Sequence, residues 1–279
     1  MLIDTPVETY SLKGRDILVK RDDLVGDGNV LPPWGKLIGI EALLDKLDPN
    51  IPLIHLAVNG SWSGWALSHL CKKRGMKFIY AYPPSESYSQ FVLDKAKEND
   101  CEFYELKPNM MKILYYQVKR YADDNDLQIL PYAFDDIVYR QTLSARALKV
   151  FAEHSIDHLV ISAGSGVTSS GVVQGYFDSD FLTTKKTHII TVSNASTIEA
   201  KYKSYGFTPS LLNIEKSTYR FDNMMTDYDV PFPCNGTWDK KAWWWLENTI
   251  ELLEGDVLFW NIGGRISEME HSVAPYQLY

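Results

Sequence analysis

Five short, mostly apolar runs limit this chain to very few folds. They are Ile51 to Val58, Met76 to Tyr82, His158 to Ala163, His188 to Ser193 and Val257 to Trp260. Runs of this length without strict alternation suit strands covered on both faces. Helical periods separate them, at Ala66 to Arg74, Ser87 to Asn99, Met110 to Tyr121, Tyr139 to His154, Ser196 to Tyr205 and Lys240 to Glu254. That alternation predicts an α/β fold of mostly parallel, twisted sheets with helices on both faces. The length of 279 residues suits two domains sharing the chain. We expect a large domain of residues 1–50 plus 135–279 and a small one of residues 51–134. Residues 207–233 carry no readable pattern.

In sheets of this kind ligands collect at the carboxyl ends of the strands. Three small-residue loops follow strands here, at 59–64, 164–168 and 261–264. The middle one is Gly164, Ser165, Gly166, Val167 and Thr168, with Ser169, Ser170 and Gly171 behind it. Its backbone N–H groups, hydroxyls and following helix N-terminus suit a phosphate dianion. An ordinary tight strand-to-helix turn would use the same residues. No Gly-Lys-Ser/Thr follows, and there is no GxGxxG, so neither a P-loop nor a dinucleotide fingerprint is present.

Lys36 lies in the stretch GNVLPPWGKLIGIE, where Pro32, Pro33 and Gly35 give way to a helical spacing of Leu37, Ile40, Leu43, Leu44 and Leu47. A cation at a helix start is mildly disfavoured, and a lysine whose neutral form is favoured can attack a carbonyl. Taken alone, it reads as a solvated lysine at a helix start. Asp239 directly precedes the last helical stretch, where it could cap the helix or pair with a protonated heterocyclic nitrogen. The run Trp243-Trp244-Trp245 reads as packing.

The net charge of −8 argues against a sequence-independent grip on duplex nucleic acid. No window reaches ~18 consecutive apolar residues, so no membrane span is expected. Cys71, Cys101 and Cys234 are widely spaced and read as reduced thiols of a cytoplasmic protein. The six histidines, at 55, 69, 154, 158, 188 and 271, show no metal-ligand spacing.

Taken in order, TPVETY with ILVKRDDL, GKLIGIE, NGSWSGWALSHLCKKRGMKFIYAYP, SAGSGVTSSG, GTWDKKAWWWLE and VLFWNIGG resemble the pyridoxal-phosphate enzymes of fold type II, the tryptophan-synthase β-like family. The branch they look most like is that of aminocyclopropane-carboxylate deaminase and D-cysteine desulfhydrase. The resemblance implies pyridoxal 5'-phosphate as cofactor, bound by the large domain. It places Lys36 at the Schiff-base position, residues 164–168 at the phosphate, and Asp239 at the pyridine nitrogen. It places Ser61, Trp62, Ser63 and Gly64 at the substrate, with Ser63 at a catalytic serine, and Trp238 where the family has a proton-transferring tyrosine. Gly39 stands in place of a basic residue that helps hold phosphate, and Gly64 in place of a ring-contacting asparagine, for which Asn59 is the candidate substitute.

The implied activity is carbanion chemistry at the α-carbon of an amino acid: decarboxylation, deamination or β-elimination. Compact relatives in bacteriophages that hypermodify thymine decarboxylate an amino acid attached to the base. The short length and the aromatic faces of Trp62, Trp65 and Trp238 suit such an aminoacyl-nucleotide, with nucleic acid entering only as substrate. A homodimer is the family's habit, and the cytoplasm that the thiols suggest would be the host's if the protein is viral. The competing reading is a non-catalytic protein of the same fold that binds the cofactor or another phospholigand.

Overall fold

A computed structural model of the chain describes residues 4–57, 61–84, 89–179, 185–220 and 223–266. The chain divides into two compact units. The first holds the residues up to Gly26, Pro33–Gly39 and Ile137–Arg265; the second holds Asp27–Pro32 and Ile40–Asp136. Residues 27–32, 40–50 and 135–136, expected in the large domain, therefore group with the second unit.

Among the described residues the first unit contains a six-stranded sheet. Its strands are β1 (Val7–Leu12), β2 (Arg15–Arg21), β7 (His158–Ala163), β8 (Lys186–Thr191), β9 (Leu212–Lys216) and β10 (Val257–Asn261), in the order β1-β2-β10-β7-β8-β9. Only β1 pairs antiparallel, with β2; every other neighbour is parallel. The central strands β7 and β10 are buried along their whole length, which explains why they read as unbroken apolar runs. Helices α5 (Ile137–Glu153), α6 (Val167–Asp178), α7 (Ala195–Ser204) and α8 (Asp239–Thr249) complete the unit.

Trp243 on α8 anchors one layer of its core. The ring meets Phe232 at 4.9 Å and Phe259 at 5.2 Å, both edge-on, so this member of the tryptophan run is core packing, while Trp244 and Trp245 stay partly exposed. Helices α5 and α6 approach closely because α6 presents Gly171 and Gly175 to its neighbour. A Cβ on Gly175 would lie 2.3 Å from the Ser144 carbonyl oxygen. Strand β9 lies within the stretch that carried no sequence pattern. It is a half-exposed edge strand of mixed residues, LNIEK, and its state is set by pairing with β8 rather than by its own periodicity.

The second unit holds a parallel four-stranded sheet. Its strands are β3 (Leu53–Leu56), β4 (Phe78–Tyr82), β5 (Glu102–Glu105) and β6 (Gln128–Ile129), in the order β5-β4-β3-β6. Helices α2 (Ser63–Lys73), α3 (Gln90–Glu98) and α4 (Met111–Asp124) belong to it. Its core places Ile54, Leu56, Ile79 and Ala81 of the sheet against Leu114, Val118 and Ala122, spaced four apart on one face of α4. Helix α1 (Lys36–Leu44) ends one turn earlier than its apolar spacing suggested.

Candidate active site

The lysine loop is pinned to the end of β10 by backbone alone. Gly35 N–H donates to the Ile262 carbonyl at 2.8 Å, Gly264 N–H donates to the Pro33 carbonyl at 2.8 Å, and Trp34 bridges to Gly263. Gly35 is needed because a Cβ there would lie 2.7 Å from the Asp22 Cβ. Helix α1 therefore begins at Lys36, the loop-to-helix junction read from the sequence. The Lys36 side chain keeps some open surface yet lies deep in the protein. Depth governs its charge, because little bulk water remains to solvate an ammonium. Burial pulls its pKa down to about 8, against the opposing attraction of Asp239. The amine sits 4.8 Å from the Trp34 ring centroid, and none of the described hydrogen bonds or ion pairs uses it.

Asp239 does not cap α8. It is the first residue of the helix, and its carboxylate points back to the sheet. Oδ1 accepts from Ser162 Oγ at 2.5 Å and Oδ2 from Gly263 N–H at 2.9 Å. Asn235 serves the preceding turn instead, its Oδ1 accepting from Thr237 N–H and Trp238 N–H. Burial pushes the Asp239 pKa up to about 7, although Ser162, the backbone at Gly263 and Ile262, and Lys36 all favour the charged form. An amine and a carboxyl group thus both titrate near neutrality in one site, the condition in which either can hold or release a proton.

The 164–168 loop leaves β7 and enters α6. Gly166 is left-handed, with φ of +84°, and occupies the N-cap position with no side chain capping the helix. A Cβ on Gly164 would lie 2.9 Å from the Trp238 ring, so that ring lies over the loop. The Gly164 carbonyl accepts from Ser193 Oγ at 3.1 Å. Val167 turns its side chain into the core, which leaves its backbone as the group the loop can offer. Ser165 Oγ lies 3.5 Å from Val167 N. Thr168 is the last residue of the motif, and its Oγ1 is 2.9 Å from Tyr139 Oη.

Lys36, Trp238, Asp239 and residues 164–168 thus belong to one unit and meet at the carboxyl ends of β7 and β10. Ser61, Trp62, Ser63 and Gly64 belong to the second unit, at the start of α2. Ser61 Oγ accepts from Ser63 N–H at 3.2 Å and lies 3.1 Å from Ser63 Oγ. Gly64 lies against the Tyr80 ring, where a Cβ would come within 2.2 Å. Its glycine is a packing requirement of helix on strand. Asn59 lies outside the described residues. Of the three tryptophans expected to offer stacking faces, Trp65 is fully buried, with Nε1–H donating to the Val30 carbonyl at 2.9 Å, and Trp62 is buried. Only Trp238 keeps partial exposure. Sequence reasoning missed Ser162, Asn235 and Tyr139. Ser162 was hidden inside an apolar strand run, and Tyr139 inside a helical period.

The donor set fits a phosphorylated pyridine aldehyde. It holds one desolvated amine, one buried carboxyl group fixed by two donors, and a glycine loop whose helix end is uncapped. Among the described residues no group of His, Cys, Asp or Glu gathers as metal ligands. No family profile matches the chain. It is 30% identical over 278 residues to the glycyl-dTMP PLP-dependent decarboxylase of Pseudomonas phage M6, covering 93% of this chain and 98% of that protein. In fold it is similar to an ACC deaminase homologue, with a TM-score of 0.71 at 16% identity over 94% of this chain and 90% of that one. It is similar also to cysteine synthase from Entamoeba histolytica, with a TM-score of 0.73 at 14% identity over 99% and 90% of the two chains. The chain belongs to the pyridoxal-phosphate-dependent enzymes of fold type II, in the family of the phage decarboxylase.

Proposed function

We propose that this enzyme removes the carboxyl group, as carbon dioxide, from an aminoacyl thymidine monophosphate of the glycyl-dTMP type. The observation that supports it is the pairing of Lys36 and Asp239 in a protein 30% identical to a decarboxylase of that substrate. Pyridoxal phosphate, when bound, draws off the electron pair that the departing carboxylate leaves on the α-carbon. Lys36 would hold the cofactor through its aldehyde carbon, the 164–168 loop would hold the phosphate, and Asp239 would keep a proton on the ring nitrogen. Ser162 and Gly263 fix the direction in which the Asp239 carboxyl group faces. Lys36, once a substrate amine has taken its place, would be positioned to deliver a proton to the α-carbon, and its pKa of about 8 suits transfer near neutral pH. Trp238 would offer its ring face to the base.

The test is twofold. Purified protein incubated with pyridoxal phosphate should acquire visible absorbance that Lys36→Ala lacks. Mass spectrometry should then show loss of carbon dioxide from glycyl-dTMP, offered both free and within a single strand. A protein that ignores the cofactor, or that leaves both substrates intact, overturns the proposal. A homodimer in the host cytoplasm accompanies this reading, and sedimentation of the holoenzyme tests the dimer. No helix among the described residues is long and apolar enough to cross a membrane.

A further inference from the structure

Gly39 lies one helical turn beyond Lys36, and the space above it is filled. A Cβ on Gly39 would lie 2.4 and 2.6 Å from two carbons of the Tyr139 ring. The ring of Tyr139, near the start of α5, therefore rests directly on the backbone of the turn that carries Lys36. The same side chain is fully buried and places its hydroxyl 2.9 Å from Thr168 Oγ1, in the first turn of α6. One residue thus touches both the lysine helix and the glycine loop, which are distant in sequence and must hold opposite ends of one ligand.

Either hydroxyl can donate in this contact, and a bound anion would decide which. Thr168 Oγ1 carries one hydrogen and two lone pairs. A phosphate dianion accepts hydrogen bonds and gives none, so a threonine that serves it must donate. If Tyr139 donates to a lone pair of Thr168 Oγ1, the threonine hydrogen is left for the ligand. Burial pushes the Tyr139 phenol above its ordinary range, so it keeps its proton at every working pH and remains able to donate.

We infer that Tyr139 is a positioning residue for the cofactor phosphate: seated on Gly39, it donates to Thr168 and commits the threonine hydroxyl to the anion. The inference rests on the reading of 164–168 as the phosphate loop. A chain of two hydroxyls brings no positive charge of its own. It therefore confers affinity for the phosphate without adding a cation beside the Lys36 amine, whose neutral form the chemistry needs.

The experiment compares binding of pyridoxal phosphate with binding of pyridoxal, which has the aldehyde and ring but no phosphate, by absorbance titration of the apoprotein. Tyr139→Phe keeps the ring on Gly39 and removes only the hydroxyl. We expect its affinity for pyridoxal phosphate to fall roughly five- to tenfold, the effect of one hydrogen bond, with its affinity for pyridoxal unchanged. Thr168→Val should lose at least as much, Thr168→Ser should retain wild-type affinity, and Tyr139→Phe should add nothing in the Thr168→Val background. Equal losses for both ligands, no loss in Tyr139→Phe, or a further loss in the double variant would each overturn the inference. If the wild type itself fails to prefer pyridoxal phosphate over pyridoxal, the phosphate-loop reading falls first, and that result is visible before any variant is made.

Discussion

The two titrating groups of the site respond to pH in separate ways. The Asp239 carboxyl, at about 7 in the folded protein, lies well above its ordinary value of 3.8. The folded apoprotein therefore retains a proton that the unfolded chain has already released, and this group's contribution to stability falls as pH rises from about 4 to 7. Asp239→Asn keeps a side chain that can meet Ser162 and removes the ionisation. Its apoprotein should gain on the wild type across that window, reaching on the order of 2–4 kcal/mol at neutral pH, at about 1.4 kcal/mol per unit. Denaturant melts at pH 4 and pH 8 check it, and a gap that does not change with pH would contradict it. Catalysis should move the other way and be largely lost. For Lys36 the neutral amine is the reactive form, so the rate of cofactor uptake should rise through about pH 8 and then level off, as read by stopped-flow absorbance. The junction at Lys36 was legible in the sequence because prolines, a glycine and a helical period mark it, whereas its chemical role came only from the resemblance. The partners of Asp239 were not, because a serine in an apolar strand gives no local sign of a carboxylate 77 residues away.

Helix and strand contacts set the next level. On the first residue of β7, His158 Nε2–H donates to the Glu254 carbonyl at 2.8 Å, which leaves Nδ1 as an acceptor for His188 Nε2–H at 3.0 Å. His188 Nδ1 in turn accepts from Asn213 Nδ2 at 3.2 Å, and Asn213 also donates to Glu215 Oε1. This chain across β7, β8 and β9 requires both imidazoles neutral. Burial, with lesser help from His158 and Lys186, pushes His188 down to about 4. The unfolded chain takes up its proton first, so stability is lost as pH falls from about 6.5 to 4. His188→Gln should flatten that acid limb, measured by urea melts at pH 7 and pH 5; equal slopes would refute it. The α5–α6 contact is independent of charge. Gly175→Ala must push a methyl group against the Ser144 carbonyl and should cost about 1–3 kcal/mol. Its melting temperature should fall while the folded fraction keeps the cofactor's absorbance. Strand β7 was read correctly to the residue because a buried central strand writes its own apolar run. Strand β9 was not, because an edge strand of Leu, Asn, Ile, Glu and Lys owes its conformation to the neighbour it pairs with.

For the molecule as a whole, each unit carries its own apolar cluster, so a ligand need not stabilise both equally. Cofactor binding adds stability by mass action to the elements it orders. Hydrogen exchange with and without pyridoxal phosphate should show the greatest slowing in 162–171, 238–241 and the first turn of α1, and little change in β5 and α4. Uniform slowing across the chain would place the binding energy elsewhere. The sequence by itself determined the alternation of strand and helix, the loop-to-helix junction at Lys36 and the glycine loop, because periodicity, proline, glycine and hydroxyl residues act on the backbone within a few positions. Tertiary structure alone decided that Asp239 faces Ser162 and Gly263 rather than its own helix, that Trp62 and Trp65 are buried while Trp238 lies over Gly164, and that Tyr139 joins Gly39 to Thr168. Those outcomes depend on which distant surfaces meet and exclude water, and no local pattern records them.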